Sequence, residues 1–259
     1  STVERTLDCL AAQTLKSLEL IVINDGSTDN TLDVLTAWKD AHPDVDMKLF
    51  TKENEGIAEA RNFGVSKVTG EYFGFLDSDD YFDENMLETL AKSVKENPAQ
   101  AVIFGMIEEY YNDKGMLKGT KMVSCDEKII RNQKELREEI LKLEARDLYG
   151  YPCNKMYNVA YLKETKAVFP KMRFNEDIVF NMDFFMNAQS CNLLSFAPYH
   201  YVKRTGSTTG SFIPTYYQDI MVKIDRLYSQ LGYYIFPGFL KSNEKRAYYA
   251  LLCHFHLHP

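Results

Sequence analysis

The sequence predicts an α/β protein with a mostly parallel central sheet flanked by helices and a helical C-terminal extension. Three observations predict it. Short apolar runs with little alternation, at residues 18–23 and 101–107, read as strands covered on both faces. Amphipathic stretches with helical spacing alternate with such runs, and turn residues separate the two at short intervals. At 259 residues the chain can bury one substantial core with a smaller appended lobe.

Taken in order, Val3, Leu7, Leu10 and Ala11 share a helical face, and Gln13-Thr14 closes that element. A strand is expected ahead of this helix, outside the sequence. Residues 18–23 form the first apolar strand, and Asn24-Asp25-Gly26-Ser27-Thr28-Asp29 supplies a turn and helix caps. Residues 31–41 read as helix, with Leu32, Leu35 and Trp38 on one side, and 44–50 return to strand. A second cycle follows: the Asn54-Glu55-Gly56 loop, a helix over 57–68, and a strand over 71–76 that runs into Asp77-Ser78-Asp79-Asp80. Residues 86–96 are helix and 101–109 strand.

In the second half Asp113-Lys114-Gly115 reads as a hairpin or loop turn. Residues 126–145 read as an amphipathic helix with Ile129, Leu136, Ile140 and Leu143 on its apolar face. A helix over 178–188 and another through Ile220, Ile224, Leu227 and Leu231 complete the reading. The expected division is a catalytic domain at 1–210 with a helical extension at 211–259 packed on it.

The net charge of -7 argues against non-specific nucleic-acid binding, which leaves a basic footprint. Cys9, Cys125, Cys153, Cys191 and Cys253 are odd in number and widely spaced, so they do not form a disulfide framework, and a reducing cytoplasmic setting is expected. No apolar run is long enough to cross a bilayer, and no signal peptide is visible. His254, His256 and His258 alternate at the end without a fourth zinc ligand, and read as a tail.

Two acids stand at carboxyl ends of predicted strands, where α/β sheets commonly bind ligands: Asp25 and Asp77. Alternating carboxylates in Asp77-Ser78-Asp79-Asp80 can hold a hard divalent cation, which would neutralise a diphosphate. Adjacent acids also make loops and helix caps, so this motif alone leaves both readings open.

The ordered set Ile21-Val22-Ile23-Asn24-Asp25-Gly26-Ser27-Thr28-Asp29, Asn54-Glu55-Gly56, Ala60-Arg61-Asn62 and Asp77-Ser78-Asp79-Asp80 resembles the inverting family 2 glycosyltransferases. Asn154-Lys155-Met156-Tyr157 and Asn175-Glu176-Asp177-Ile178-Val179-Phe180 look like bacterial polysaccharide members of that family. The resemblance covers roughly the first two hundred residues. It implies a GT-A fold and a nucleotide-diphosphate sugar donor, often a UDP-sugar, with Mn²⁺ or Mg²⁺ as cofactor. Asp25 then matches the acid that recognises the base, Asp77 the donor-positioning acid, and Asp79 the direct metal ligand. Asp80 caps a helix, supports the ligands or ligates the metal directly, and Arg61 approaches the nucleotide or diphosphate, a role suited to a planar guanidinium.

Asp177 matches the base that accepts the acceptor hydroxyl proton, with an ordinary carboxylate pKa. Glu176 is the rival, or orients the acceptor. Both acids could instead cap the following helix. Tyr199, Tyr201 and Arg204 precede Gly206-Ser207-Thr208-Thr209, which resembles a segment closing over donor phosphates, and a surface loop is the plainer reading. Lys155 and Tyr157 are assigned to the acceptor side. Asn24 departs from the family's usual Asp, and no late Gln-x-x-Arg-Trp signature marks a processive synthase.

The implied activity is transfer of one sugar to a lipid-linked or oligosaccharide acceptor in surface or capsular polysaccharide synthesis. Its expected place is the cytoplasm, including the inner face of the membrane by peripheral association. A nucleotidyltransferase-like enzyme and a non-catalytic carbohydrate- or protein-binding domain on the same fold are the alternatives.

Overall fold

The computed structural model describes residues 2–172, 174–204, 218–223 and 225–226. The chain opens in α1 (Thr2–Ala11) and continues through β1 (Leu20–Asp25), α2 (Thr31–Ala41), β2 (Met47–Lys52) and α3 (Ile57–Lys67). Next come β3 (Tyr72–Gly74), β4 (Tyr81–Phe82), α4 (Met86–Glu96) and β5 (Ala101–Tyr111). Helices α2 and α4 occupy the residues their apolar spacing predicts. Beyond β5 lie β6 (Leu117–Val123), β7 (Lys128–Ile130), α5 (Gln133–Ala145), β8 (Lys155–Asn158), α6 (Val159–Thr165), α7 (Glu176–Phe185) and β9 (Cys191–Arg204).

The strands form a parallel β1-β2 pair and a seven-stranded sheet of order β3-β8-β5-β9-β4, with β6 on β5 and β7 on β9. The larger sheet is mixed, where the sequence suggested mostly parallel. Among the described residues only β5 and β9 pair parallel within it; β3–β8, β4–β9, β5–β6, β5–β8 and β7–β9 are antiparallel. The cause is a set of strands that apolar runs did not reveal. β8 begins at a lysine, and β9 carries Pro198, His200 and Lys203 in what reads as loop. Residues 128–130, assigned to a helix, are strand β7; α5 begins only after Asn132, whose side chain accepts from Glu135 N and caps it.

Strand β5 lies in the middle of the sheet, between β8 and β9, and Ala101, Val102 and Ile103 have no exposed surface. Each large aliphatic buried this way contributes about 1.5–3 kcal/mol, so this short run anchors the core. Phe180 and Phe184 of α7 pack on Tyr157 of β8, and Phe180 stacks on Phe169. A smaller core of Leu7, Leu20, Leu35, Trp38 and Met47 joins α1, α2 and the β1-β2 pair, and Trp38 Nε1 donates to Asp8 at 2.8 Å.

Cys9, Cys125, Cys153 and Cys191 are free thiols. Among the described residues no helix is long and apolar enough to cross a membrane. Residues 218–223 and 225–226 are helical, in line with the helix expected around Ile220. The rest of the extension, with Leu227, Leu231, Cys253 and the three terminal histidines, lies outside the described residues.

Candidate active site

Parallel pairing of β1 with β2 sets Asp25 opposite Lys52 at the carboxyl ends of both strands. Lys52 Nζ donates to Asp25 Oδ1 at 2.8 Å, and the amides of Glu55 and Gly56 donate to the same carboxylate at 3.2 and 3.0 Å. The two loops therefore close on one acid. Gly26, at φ 70°, makes the approach feasible, because a Cβ there would lie 2.7 Å from Asn54 N. Burial raises the Asp25 pKa, but the Lys52 and amide bonds outweigh it and hold the group below its usual value. Asn24 accepts from Ser27 N at 3.1 Å, so the residue that departs from the family's Asp closes the turn.

The loop after β3 carries Asp77, Asp79 and Asp80, and the three differ. Asp80 has no exposed surface; Tyr199 Oη donates to it at 2.7 Å and Val202 N at 2.8 Å, tying the loop to β9. Burial pushes its pKa up to about 7, so Asp80 serves as a structural tie. Asp77 and Asp79 are half-buried. Among the described residues the Asp79 carboxylate accepts no hydrogen bond.

Arg61, on α3, joins this loop to the second acidic motif. Its Nη2 donates to Asp77 Oδ1 and its Nη1 to Glu176 Oε1, both at 3.1 Å. The guanidinium lies 5.4 Å from the Phe169 ring centroid and its side chain is 11% exposed. Arg61 is therefore a clamp between carboxylates; the sequence reading brings it to the nucleotide or diphosphate. Burial would lower its pKa; Asp77, Glu176 and Asp177 more than reverse that and hold it charged.

Asp177 stands beside Glu176 at the start of α7, following Asn175 in a left-handed conformation at φ 66°. Its Oδ1 accepts from Ile178 N at 2.7 Å. Both acids titrate above the ordinary carboxylate range: burial pushes Glu176 to about 6, aided by repulsion from Asp177, and burial raises Asp177 against the pull of Arg61. This corrects the expectation of an ordinary pKa for Asp177. A carboxylate of raised pKa is the stronger base.

Two assignments change with the fold. Lys155 is 1% exposed and Tyr157 not at all, so neither side chain reaches an acceptor. Lys155 Nζ donates to Leu148 O, Tyr151 O and Asn154 Oδ1 at 2.9, 2.6 and 2.7 Å, and Tyr157 Oη donates to Asn181 Oδ1 at 2.6 Å. The pattern of alternating burial in β8 takes both inward, a strand that sequence reading did not identify. Arg204 is exposed at the end of β9, two residues past the amide that holds Asp80. Gly206 to Thr209 lie outside the described residues. Lys52 and Tyr199 went unremarked as ligands of the acids, since a lysine ending a strand and a tyrosine in a mixed run carry no local signal of such a contact.

The donor set suits Mg²⁺ or Mn²⁺ arriving with a diphosphate. Among the described residues no three His, Cys, Asp or Glu side chains are grouped to hold an ion by themselves. Such ions commonly take one or two carboxylates and complete their shell with phosphate oxygens and water. Asp79, its carboxylate uncommitted among the described residues, is the side chain that would supply that share.

Residues 1–165 match the model of glycosyl transferase family 2. The chain belongs to this family. It is 25% identical over 208 residues to the uncharacterized glycosyltransferase EpsJ of Bacillus subtilis, covering 80% of this chain and 59% of that protein. It is 27% identical over 197 residues to the poly(ribitol-phosphate) beta-N-acetylglucosaminyltransferase TarS of Staphylococcus aureus, covering 74% of this chain and 31% of that one. The chain thus spans well under two thirds of either relative's length. Residues 1–349 of S. aureus TarS, in complex with UDP-GlcNAc, share its fold with a TM-score of 0.69 at 24% identity, over 98% of this chain and 69% of that one. The mannosyltransferase PcManGT of Pyrobaculum calidifontis, in complex with GDP-Man and Mn²⁺, does so with a TM-score of 0.54 at 16% identity, over 98% and 77%. The fold is GT-A.

Proposed function

We propose that this chain transfers a single sugar from a nucleotide-diphosphate sugar, a UDP-sugar by its likeness to TarS, to an acceptor hydroxyl with inversion, in surface or capsular polysaccharide synthesis. The observation that carries the reading is the Arg61 clamp, which gathers Asp77, from the end of the sheet, and Glu176, beside Asp177, into one cluster.

Asp25, with Lys52 and the 53–56 loop, forms the floor for the base, and Asp77 positions the donor. Asp79 would hold a divalent ion, which when bound neutralises charge on the leaving diphosphate. Asp177 accepts the proton of the incoming hydroxyl as its oxygen bonds to the anomeric carbon and the bond to the diphosphate oxygen breaks. Glu176 keeps Arg61 and the acceptor side in place. One displacement inverts the anomeric centre without a covalent sugar–enzyme intermediate. The acceptor is a lipid-linked glycan or an oligosaccharide, met in the cytoplasm or at the inner face of the membrane, where peripheral association would bring the two together.

A panel of nucleotide sugars with Mn²⁺ or Mg²⁺ tests this, read by release of the nucleoside diphosphate and product formation. Asp79→Asn is expected to weaken metal-dependent donor binding by about tenfold or more. Asp177→Asn keeps donor affinity while transfer falls by about 10²-fold or more. Full turnover in Asp177→Asn would overturn the assignment of the base.

A further inference from the structure

Helix α1 makes contacts with the acid loop that the scheme above does not use. Thr6 Oγ1 lies 2.7 Å from Asp80 O and 3.0 Å from Ser78 O, and Arg5 Nη2 donates to Asp79 O at 2.5 Å. Two successive carbonyls, 79 and 80, are therefore met by two adjacent side chains of one helix, with Ser78 O beside the Thr6 hydroxyl. The Thr6 hydroxyl has a single hydrogen, also within 3.2 Å of Thr2 O, and Asp80 O is its nearest acceptor. Thr6 is 5% exposed, which makes an unmet carbonyl there costly.

Arg5 is fixed in turn. Its guanidinium lies 4.5 Å from the Tyr81 ring centroid, and Tyr81 Oη donates to Glu109 at 2.6 Å. Its buried Nε has no partner among the described residues. From the opposite side, Tyr199 and Val202 hold the Asp80 carboxylate. The loop is gripped through its backbone by α1 and through Asp80 by β9. Asp79, between these grips, has its carbonyl fixed while its carboxylate is left for another ligand.

We propose that Arg5 and Thr6 are positioning residues that set the loop so that Asp79 meets a divalent cation and the diphosphate it accompanies; this rests on the metal role of Asp79 proposed above. A cation held by so few protein oxygens binds well only if those oxygens are placed beforehand. Neither residue touches the ion or the sugar.

The test is Mn²⁺ titration of the whole chain in the presence of UDP, followed by the electron paramagnetic resonance signal of free Mn²⁺, with thermal unfolding recorded in parallel. Thr6→Val, which keeps shape but removes the hydroxyl, is expected to weaken Mn²⁺ binding about tenfold, and Thr6→Ser to restore it. Arg5→Met weakens it likewise, while Arg5→Lys recovers part of the loss. A contribution to folding alone would lower the melting temperature and leave the Mn²⁺ affinity of the folded protein unchanged. Wild-type affinity in folded Thr6→Val and Arg5→Met would therefore overturn the proposal; should Thr6→Val not fold, Arg5→Met decides it. Asp79→Asn is the control: if it binds Mn²⁺ as the wild type does, the metal role of Asp79 fails, and the positioning role falls with it.

Discussion

Replacing Arg61 with Met removes a guanidinium that faces Asp77, Glu176 and Asp177 together, while keeping most of the side-chain volume beside Phe169. At about 4 Å and an effective dielectric near 20, one unit charge is worth about 4 kcal/mol, or about 3 pH units, as a ceiling. Asp77 is 35% exposed and solvent will screen it, so an upward shift of about 1–2 units in the acid pair is the working value. Glu176 already titrates at about 6 with the cation present. The proposed transfer has Asp177 ionised, and losing the cation raises its pKa, so activity is expected to begin at higher pH. A pH profile of kcat/KM with saturating metal is the assay. The acid limb is expected to move up by about 1–2 units, which lowers kcat/KM about 10- to 100-fold at pH values on that limb and less at pH 7. An acid limb that stays in place in a folded Arg61→Met protein would refute the reasoning that Arg61 acts through charge on the acid pair.

Three further outcomes follow from the same geometry. Glu176→Gln is expected to stabilise the fold at pH 8 relative to pH 5 by about 1–2 kcal/mol in chemical denaturation. The sign follows from a folded pKa of about 6 lying above the ordinary value: the wild-type contribution is full below the unfolded pKa and is lost as pH rises through 6, a loss glutamine escapes. Lys155→Met is expected to destabilise the chain by about 2 kcal/mol or more, because it takes the donor from Tyr151 O and Asn154 Oδ1, while Leu148 O keeps Asn154 Nδ2; denaturant midpoints at matched slopes measure this, and a change below about 1 kcal/mol would contradict it. Asp25→Ala frees Lys52 and the amides of Glu55 and Gly56 at once. Its UDP affinity is expected to fall by about tenfold or more by calorimetry, and unchanged affinity would remove Asp25 from the nucleotide site.

How much was legible varied along the chain for identifiable reasons. Through residue 109, apart from the two-residue β4, helix and strand are written in local periodicity, and α2 and α4 sit where Leu35, Trp38, Met86 and Leu90 need them to bury. Strands β8 and β9 are not locally written. Their lysine, proline and histidine find partners across the sheet, as His200 does between Glu109 and Asp83 at 3.0 and 3.3 Å. The misassigned start of α5 has the same origin, since Lys128 to Ile130 take strand geometry by pairing with Leu193, Asn192 and Cys191.

By itself the amino-acid order determined the acids and their placement at strand ends, because turn chemistry and apolar runs are short-range properties. It also carried the family, through motifs whose order survives at modest identity. Only the tertiary structure decided what each charged group faces. Arg61 clamps Asp77 to Glu176, Lys155 is a buried pin, and Asp177 changes from an ordinary acid into one of raised pKa. Charge depends on burial and on neighbours more than a hundred residues away, such as Glu176 beside Arg61, and those distances exist only once the chain has closed.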